Sequence, residues 1–206
     1  FKQKTAYEML RSLVGSEMCI RDSSRMKTDK ALLKLGERTI IEIILDKLKS
    51  IFKEIIISSN ESHKYEFLNV RIINDIYTNR GPLAGIHSAL TYSNQEKIFV
   101  SACDIPLVPK EMIDFLINYQ SNCQVILPKF QGRVQFLCGI YSKSINDIIE
   151  HILNSPTKKG ALYELAENVS TEIIDIDELE FVSPDIFLNL NTTDDFDRIK
   201  RIFNTL

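Results

Sequence analysis

The hydrophobic pattern switches between two periods along most of the chain. Ile40, Ile41, Ile44, Leu45, Leu48 and Ile51 recur at helical spacing and predict an amphipathic helix of about three to four turns. Residues 54–58 and 70–74 are compact β-branched runs, the signature of buried strands. Pro82 suits the first turn of a helix carrying Leu83, Ala84, Ile86 and Leu90. A strand is expected at 98–100, followed by a helix from Pro109 with Met112, Phe115, Leu116 and Tyr119 on one side. Residues 124–128 and 134–141 read as two strands joined by a turn at Gln131-Gly132. Helices are expected near 145–153 and 160–167, a strand at 172–176, and a last helix with Phe196, Ile199 and Phe203, capped by Thr192 or Thr193. Alternating strands and helices imply an α/β fold: a Rossmann-like, mainly parallel sheet flanked by helices, with an added β-element in the second half.

The first 23 residues do not join this pattern. Residues 7–13 are weakly helical in character and run into a polar, Gly-containing stretch with no clear strand alternation. The segment has no signal-peptide architecture. It resembles translated sequencing-adapter DNA, so residues 1–23 are expected to be non-native and 24–206 to form a single domain.

A chain of 206 residues is the size of one α/β domain, and 44% hydrophobic residues suffice for a sizeable core. A net charge of −3 argues against broad nucleic-acid binding. No run of about eighteen apolar residues occurs, which argues against a membrane span. Cys19, Cys103, Cys123 and Cys138 form no CxxC, which suits reduced thiols and a cytoplasmic location. His63, His87 and His151 are scattered and offer no zinc-type cluster, so each is expected on the surface or in packing.

Three segments carry candidate chemistry: residues 24–33, with Ser24-Arg25-Met26 and Asp29-Lys30; 81–90, opening Gly81-Pro82-Leu83-Ala84-Gly85; and Cys103-Asp104-Ile105-Pro106. Asp104 ends an apolar strand-like run just before a proline. An acid beyond the carboxyl end of a buried strand is placed to hold a metal against phosphates, and also suits a turn or helix cap. Glycines at 81 and 85 let backbone approach an anion at a helix start, or simply let a loop pack against a helix. In order and spacing the three segments resemble the nucleotidyltransferases that make dinucleotide forms of the molybdenum cofactor, the guanylyltransferases most closely. The resemblance covers roughly residues 24–203.

That resemblance implies transfer of GMP from GTP to molybdenum-bound molybdopterin, releasing pyrophosphate, with Mg²⁺ as cofactor. Asp104 stands at the family's magnesium-binding aspartate. Lys30, with Arg25 from the same loop, would neutralise the triphosphate. Ser58 and Asp75 end two consecutive strands, where the family places base or ribose contacts. The family commonly has Asn at the first of these, and one hydroxyl cannot replace an amide's donor and acceptor. Asn60 is positioned to share that role. Asn189 and Asn191 match an acceptor-side motif that equally suits helix capping, and Arg133 is placed to meet a terminal phosphate. Cofactor-assembly proteins are the expected protein partners. Two departures weigh against a simple transfer of function. Lys27 stands where Gly is common, and Cys19-Ile20-Arg21-Asp22 stands where a first strand would run into a Gly-rich phosphate turn. A cytidylyl- or other nucleotidyltransferase of the same fold, and a non-catalytic relative, are the alternatives.

Overall fold

A computed structural model of the chain describes residues 8–12, 29–155 and 161–205. Its centre is a twisted sheet in the order β10-β7-β9-β6-β1-β4-β5. The strands are β1 (Glu8–Ser12), β4 (Ile55–Ser58), β5 (Arg71–Ile73), β6 (Lys97–Ser101), β7 (Val125–Phe130), β9 (Cys138–Ser142) and β10 (Thr171–Asp175). A two-residue β8 (Arg133–Val134) pairs with β7, and β2 (Lys34–Leu35) pairs with β3 (Arg38–Thr39) as a separate ribbon. β5, β4, β1 and β6 run parallel, and β7 and β10 are parallel to each other. β9 is antiparallel to both of its neighbours, β6 and β7.

Among the described residues, six helices cover the two faces. α1 (Ile40–Lys49), α3 (Lys110–Asn118) and α6 (Thr193–Phe203) pack with Ile55, Ile57 and Phe99 on one side. α2 (Pro82–Tyr92), α4 (Asn146–Asn154) and α5 (Ala161–Asn168) pack with Ile56, Ile98 and Val100 on the other. Successive strand residues thus enter opposite cores, as the period of two requires, and continuous apolar runs result because both faces are covered. The expected α/β architecture is the observed one. None of the described helices is long and apolar enough to cross a membrane. Cys123 and Cys138 are free thiols.

Two expectations are corrected. The weakly helical character expected for residues 7–13 gives way to a strand, Glu8–Ser12, in register with Ile55–Ser58 on one side and Ile98–Val100 on the other. Between two buried parallel strands, backbone donors and acceptors on both flanks require a partner, and that demand outweighs local helical preference. The second correction concerns residues 134–141, expected as one strand. The hairpin at Gln131-Gly132 forms, with Phe130 opposite Arg133 and both turn residues at positive φ (47° and 74°). The chain then leaves β7 after Val134, turns through 135–137, and re-enters as β9 between β6 and β7. Cys138, Gly139, Ile140 and Tyr141 are all buried, a pattern that fits an interior strand with both faces covered. Gly139 is required there, because a Cβ would lie 2.7 Å from the Ile126 carbonyl oxygen.

Candidate active site

β4 and β5 lie on one side of β1 and β6 on the other, so the chain reverses its direction of sheet growth at β1. In open α/β sheets the crevice beyond the carboxyl ends of strands at such a point is where ligands bind. Ser58, Asp75 and Asp104 all lie at or just past the carboxyl ends of parallel strands at this edge.

Ser58 and Asp75 meet directly. The Ser58 hydroxyl, 1% exposed, donates to Asp75 Oδ1 at 2.5 Å. Asn60 completes the group: its Nδ2 donates to Asp75 Oδ2 at 3.4 Å, and its Oδ1 accepts from the Asp75 backbone N–H at 3.1 Å. Burial pushes the Asp75 carboxyl above its ordinary range, with the Ser58 and Asn60 hydrogen bonds opposing that rise. The following residue is held by α2, since Ile76 N–H donates to Ser88 Oγ at 2.8 Å. Gly81, at φ 71°, forms the turn that admits Pro82 as the first residue of α2.

Lys30 is set by its own turn. Asp29 Oδ1 accepts from Ala31 N–H at 3.1 Å, capping a 3-10 turn over Lys30–Leu32, while Asp29 Oδ2 accepts from the Tyr65 hydroxyl at 2.6 Å. The Lys30 side chain is 7% exposed, and its Nζ donates to Asn191 Oδ1 at 3.0 Å. Asn191 in turn is placed by Asp195 Oδ2, which accepts from the N–H groups of Asn191 and Thr192 and from Thr192 Oγ1. These bonds, together with Lys30, hold the Asp195 carboxyl below its ordinary range against the effect of burial. One residue earlier, Leu190 N–H donates to the Asp104 carbonyl at 2.8 Å. The 189–192 segment therefore touches both the Lys30 side chain and the Asp104 backbone.

The far side of the Asp104 turn is held by Lys47 of α1, whose Nζ donates to the carbonyl of Val108 and to that of Pro106 at 3.3 Å. Burial depresses the Lys47 ammonium from its ordinary 10.5 to about 8, with Cys138 of β9 and Glu111 of α3 opposing the shift. A lysine whose folded pKa is lowered holds its proton less tightly in the folded state. The penalty is fully present below pH 8 and is relieved as pH rises towards 10.5. A shift of this size corresponds to about 3 kcal/mol. Urea unfolding of wild type and Lys47→Met at pH 7.5 and 10 should show the wild type gaining about 2–3 kcal/mol more than the variant on the way up. Parallel changes in the two proteins would refute the assignment.

The remaining residues are less closely joined. Asn189 is exposed beside the Leu190–Asp104 contact. Arg133 is exposed on β8, and no hydrogen bond among the described residues links its side chain to the group above. Arg25 and the 19–22 segment lie outside the described residues. His87 is buried and bonds Glu150 through Nε2, in keeping with a packing role. The sequence reading missed Lys47, Tyr65 and Asp195 as contributors. Lys47 had a detectable signal, since it falls three residues after Ile44 on the apolar face of α1. Asp195 had one too, three residues after the capping Thr192. Nothing in the local pattern marks Tyr65.

Known proteins match this arrangement over most of its length. Residues 22–169 fit the profile of the MobA-like NTP transferase domain. A Clostridium perfringens protein named "Probable molybdenum cofactor guanylyltransferase" is 38% identical over 183 residues, 87% of this chain and 92% of that protein. A Carboxydothermus hydrogenoformans protein of the same name is 35% identical over 185 residues, 88% of this chain and 92% of that one. In fold, the crystal structure of molybdopterin-guanine dinucleotide biosynthesis protein A from Archaeoglobus fulgidus superposes with a TM-score of 0.79 at 22% identity, covering 97% of this chain and 100% of that one. With the profile spanning more than half of the chain and relatives aligned along nearly all of it, the chain belongs to the family of MobA-like NTP transferase domains.

Proposed function

We propose that the protein transfers GMP from GTP to the terminal phosphate of molybdenum-bound molybdopterin, releasing pyrophosphate. The observation that carries this is the pairing of two half-sites at one sheet edge: a half-buried Asp75 carboxylate held by Ser58 and Asn60, and a lysine and an aspartate joined through one segment. The first suits the N1–H and N2–H₂ edge of guanine, which offers donors only. The second suits a triphosphate. The names of the relatives support the same substrate class.

An acceptor phosphate oxygen attacks the α-phosphorus, a new P–O bond forms, and the bond to the bridging oxygen breaks with its electron pair leaving on pyrophosphate. The acceptor phosphate is already nucleophilic near neutral pH, so the chain need supply no general base. Lys30 places positive charge where pyrophosphate leaves, and Arg25 reinforces it from the same loop. Asp75 and Asn60 orient the nucleoside, with Ser58 fixing the carboxylate. Arg133 and Asn189 meet the acceptor.

Asp104 fits a magnesium site. Mg²⁺ is held through one or two carboxylates with phosphate oxygens and water completing its shell. Among the described residues no group of three or more His, Cys, Asp or Glu converges, so such an ion would draw most of its ligands from the nucleotide. When bound there, Mg²⁺ neutralises phosphate charge during transfer. We place this work in the cytoplasm, alongside cofactor-assembly proteins. We read residues 24–206 as the catalytic unit and 1–23 as a non-native segment, of which Glu8–Ser12 fills the first-strand position.

The absence of glycine at 19–22 favours one rival reading, a non-catalytic relative. Ser58 in place of Asn favours another, a cytidylyltransferase. Parallel assays with GTP, CTP and ATP, each with Mg²⁺ and the molybdenum-bound pterin, separate all three. Pyrophosphate release from GTP at least tenfold faster than from the others is expected. Preference for CTP, or no release from any nucleotide, would refute the guanylyl assignment.

A further inference from the structure

The contact between Lys30 and Asn191 joins residues 161 positions apart. It binds the turn that opens the domain to the segment that precedes its last helix. The acceptor atom is a neutral amide oxygen. A carboxylate at that place would hold the lysine equally well but cancel the charge that a triphosphate needs. An amide holds the ammonium in position and adds no negative charge of its own. The Asp195 carboxylate serves the segment itself: its Oδ2 accepts from the N–H groups of Asn191 and Thr192 and from Thr192 Oγ1.

The same segment also bonds the Asp104 carbonyl through Leu190 N–H at 2.8 Å. Side-chain fixing of Lys30 and backbone fixing of Asp104 therefore come from adjacent residues. Movement of 189–192 would shift both groups together.

We propose that Asn191 is a positioning residue for Lys30, and that the 189–192 segment sets the spacing between the triphosphate-binding lysine and the Asp104 turn. This rests on the reading of Lys30 as a triphosphate ligand. It assigns Asn191 a role on the nucleotide side of the reaction, distinct from contact with the acceptor.

The test compares the full chain with Asn191→Ala, Asn191→Asp, Lys30→Met and the Lys30→Met/Asn191→Ala double variant. Binding of GTP with Mg²⁺ is measured by calorimetry, and kcat and KM are measured with acceptor varied. Asn191→Ala should lower kcat about tenfold and weaken GTP binding several-fold, with the acceptor KM unchanged. Asn191→Asp should bind GTP more weakly than Asn191→Ala, because its carboxylate neutralises Lys30 although it can still accept the hydrogen bond. The double variant should be no worse than Lys30→Met alone, since residues acting through one contact are not additive.

A tenfold rise in acceptor KM with unchanged GTP affinity in Asn191→Ala would overturn the proposal, as would multiplicative losses in the double variant. If Lys30→Met is impaired while Asn191→Ala is not, this proposal alone falls. If Lys30→Met binds GTP as the wild type does, the triphosphate reading of Lys30 falls and takes this proposal with it.

Discussion

Asp104→Ala should reduce Mg²⁺-dependent transfer from GTP by about a thousandfold, the upper range for loss of one preorganised group that stabilises developing charge. The variant leaves the backbone contacts of the turn in place. The Asp104 carbonyl accepts from Leu190 N–H, and this backbone contact does not depend on the side chain. Lys47 grips the same turn through the carbonyls of Pro106 and Val108, again backbone atoms. The turn should therefore keep its path while losing its carboxylate. Initial rates across a Mg²⁺ titration, with circular dichroism as the control for folding, check this. Wild-type rates at saturating Mg²⁺ would remove Asp104 from the metal site.

Asp75→Asn should act on nucleotide choice more than on rate. In the wild type, Ser58 and Asn60 donate to the two Asp75 oxygens at 2.5 and 3.4 Å and hold the carboxylate in one orientation. A carboxylate accepts both donors of the guanine edge. An amide offers a donor of its own at one of the two places and meets guanine with a donor–donor clash. Loss of a bidentate base contact is worth about 1–3 kcal/mol of discrimination. GTP-over-CTP preference, read as the ratio of kcat/KM values, should fall about tenfold to a hundredfold. Because burial raises the Asp75 pKa, GTP affinity should also fall on acidification at a higher pH than an ordinary carboxylate would give. Retained preference for GTP in the variant would mean that the base is read elsewhere.

What the sequence disclosed follows the range of the interactions involved. Period-two and helical runs depend on neighbours a few residues apart, so β4, β5, β6 and helices α1 to α3 were legible. The positions of Ser58, Asp75 and Asp104 at or just past strand ends were legible too, because each ends or follows a strand-like run. The contacts that assemble these groups were not. Lys30 meets Asn191, and Lys47 meets Pro106 and Val108, only after the sheet has brought distant segments together. Glu8–Ser12 shows the same limit from the other side: its strand state is imposed by β4 and β6, and its own residues do not announce it. The path of β9 was hidden because an apolar run after a hairpin turn suits the hairpin's second strand as well as an interior strand. Burial on both faces, which distinguishes the two, appears only in the folded sheet.

Both variants presuppose that phosphorus moves from nucleotide to cofactor. The most direct test follows it: the full chain is incubated with GTP labelled at the α-phosphate, Mg²⁺ and molybdenum-bound molybdopterin, and the products are separated. The account predicts label in the pterin product in equal measure with released pyrophosphate. Label remaining in GTP, or appearing only as free GMP, would contradict it.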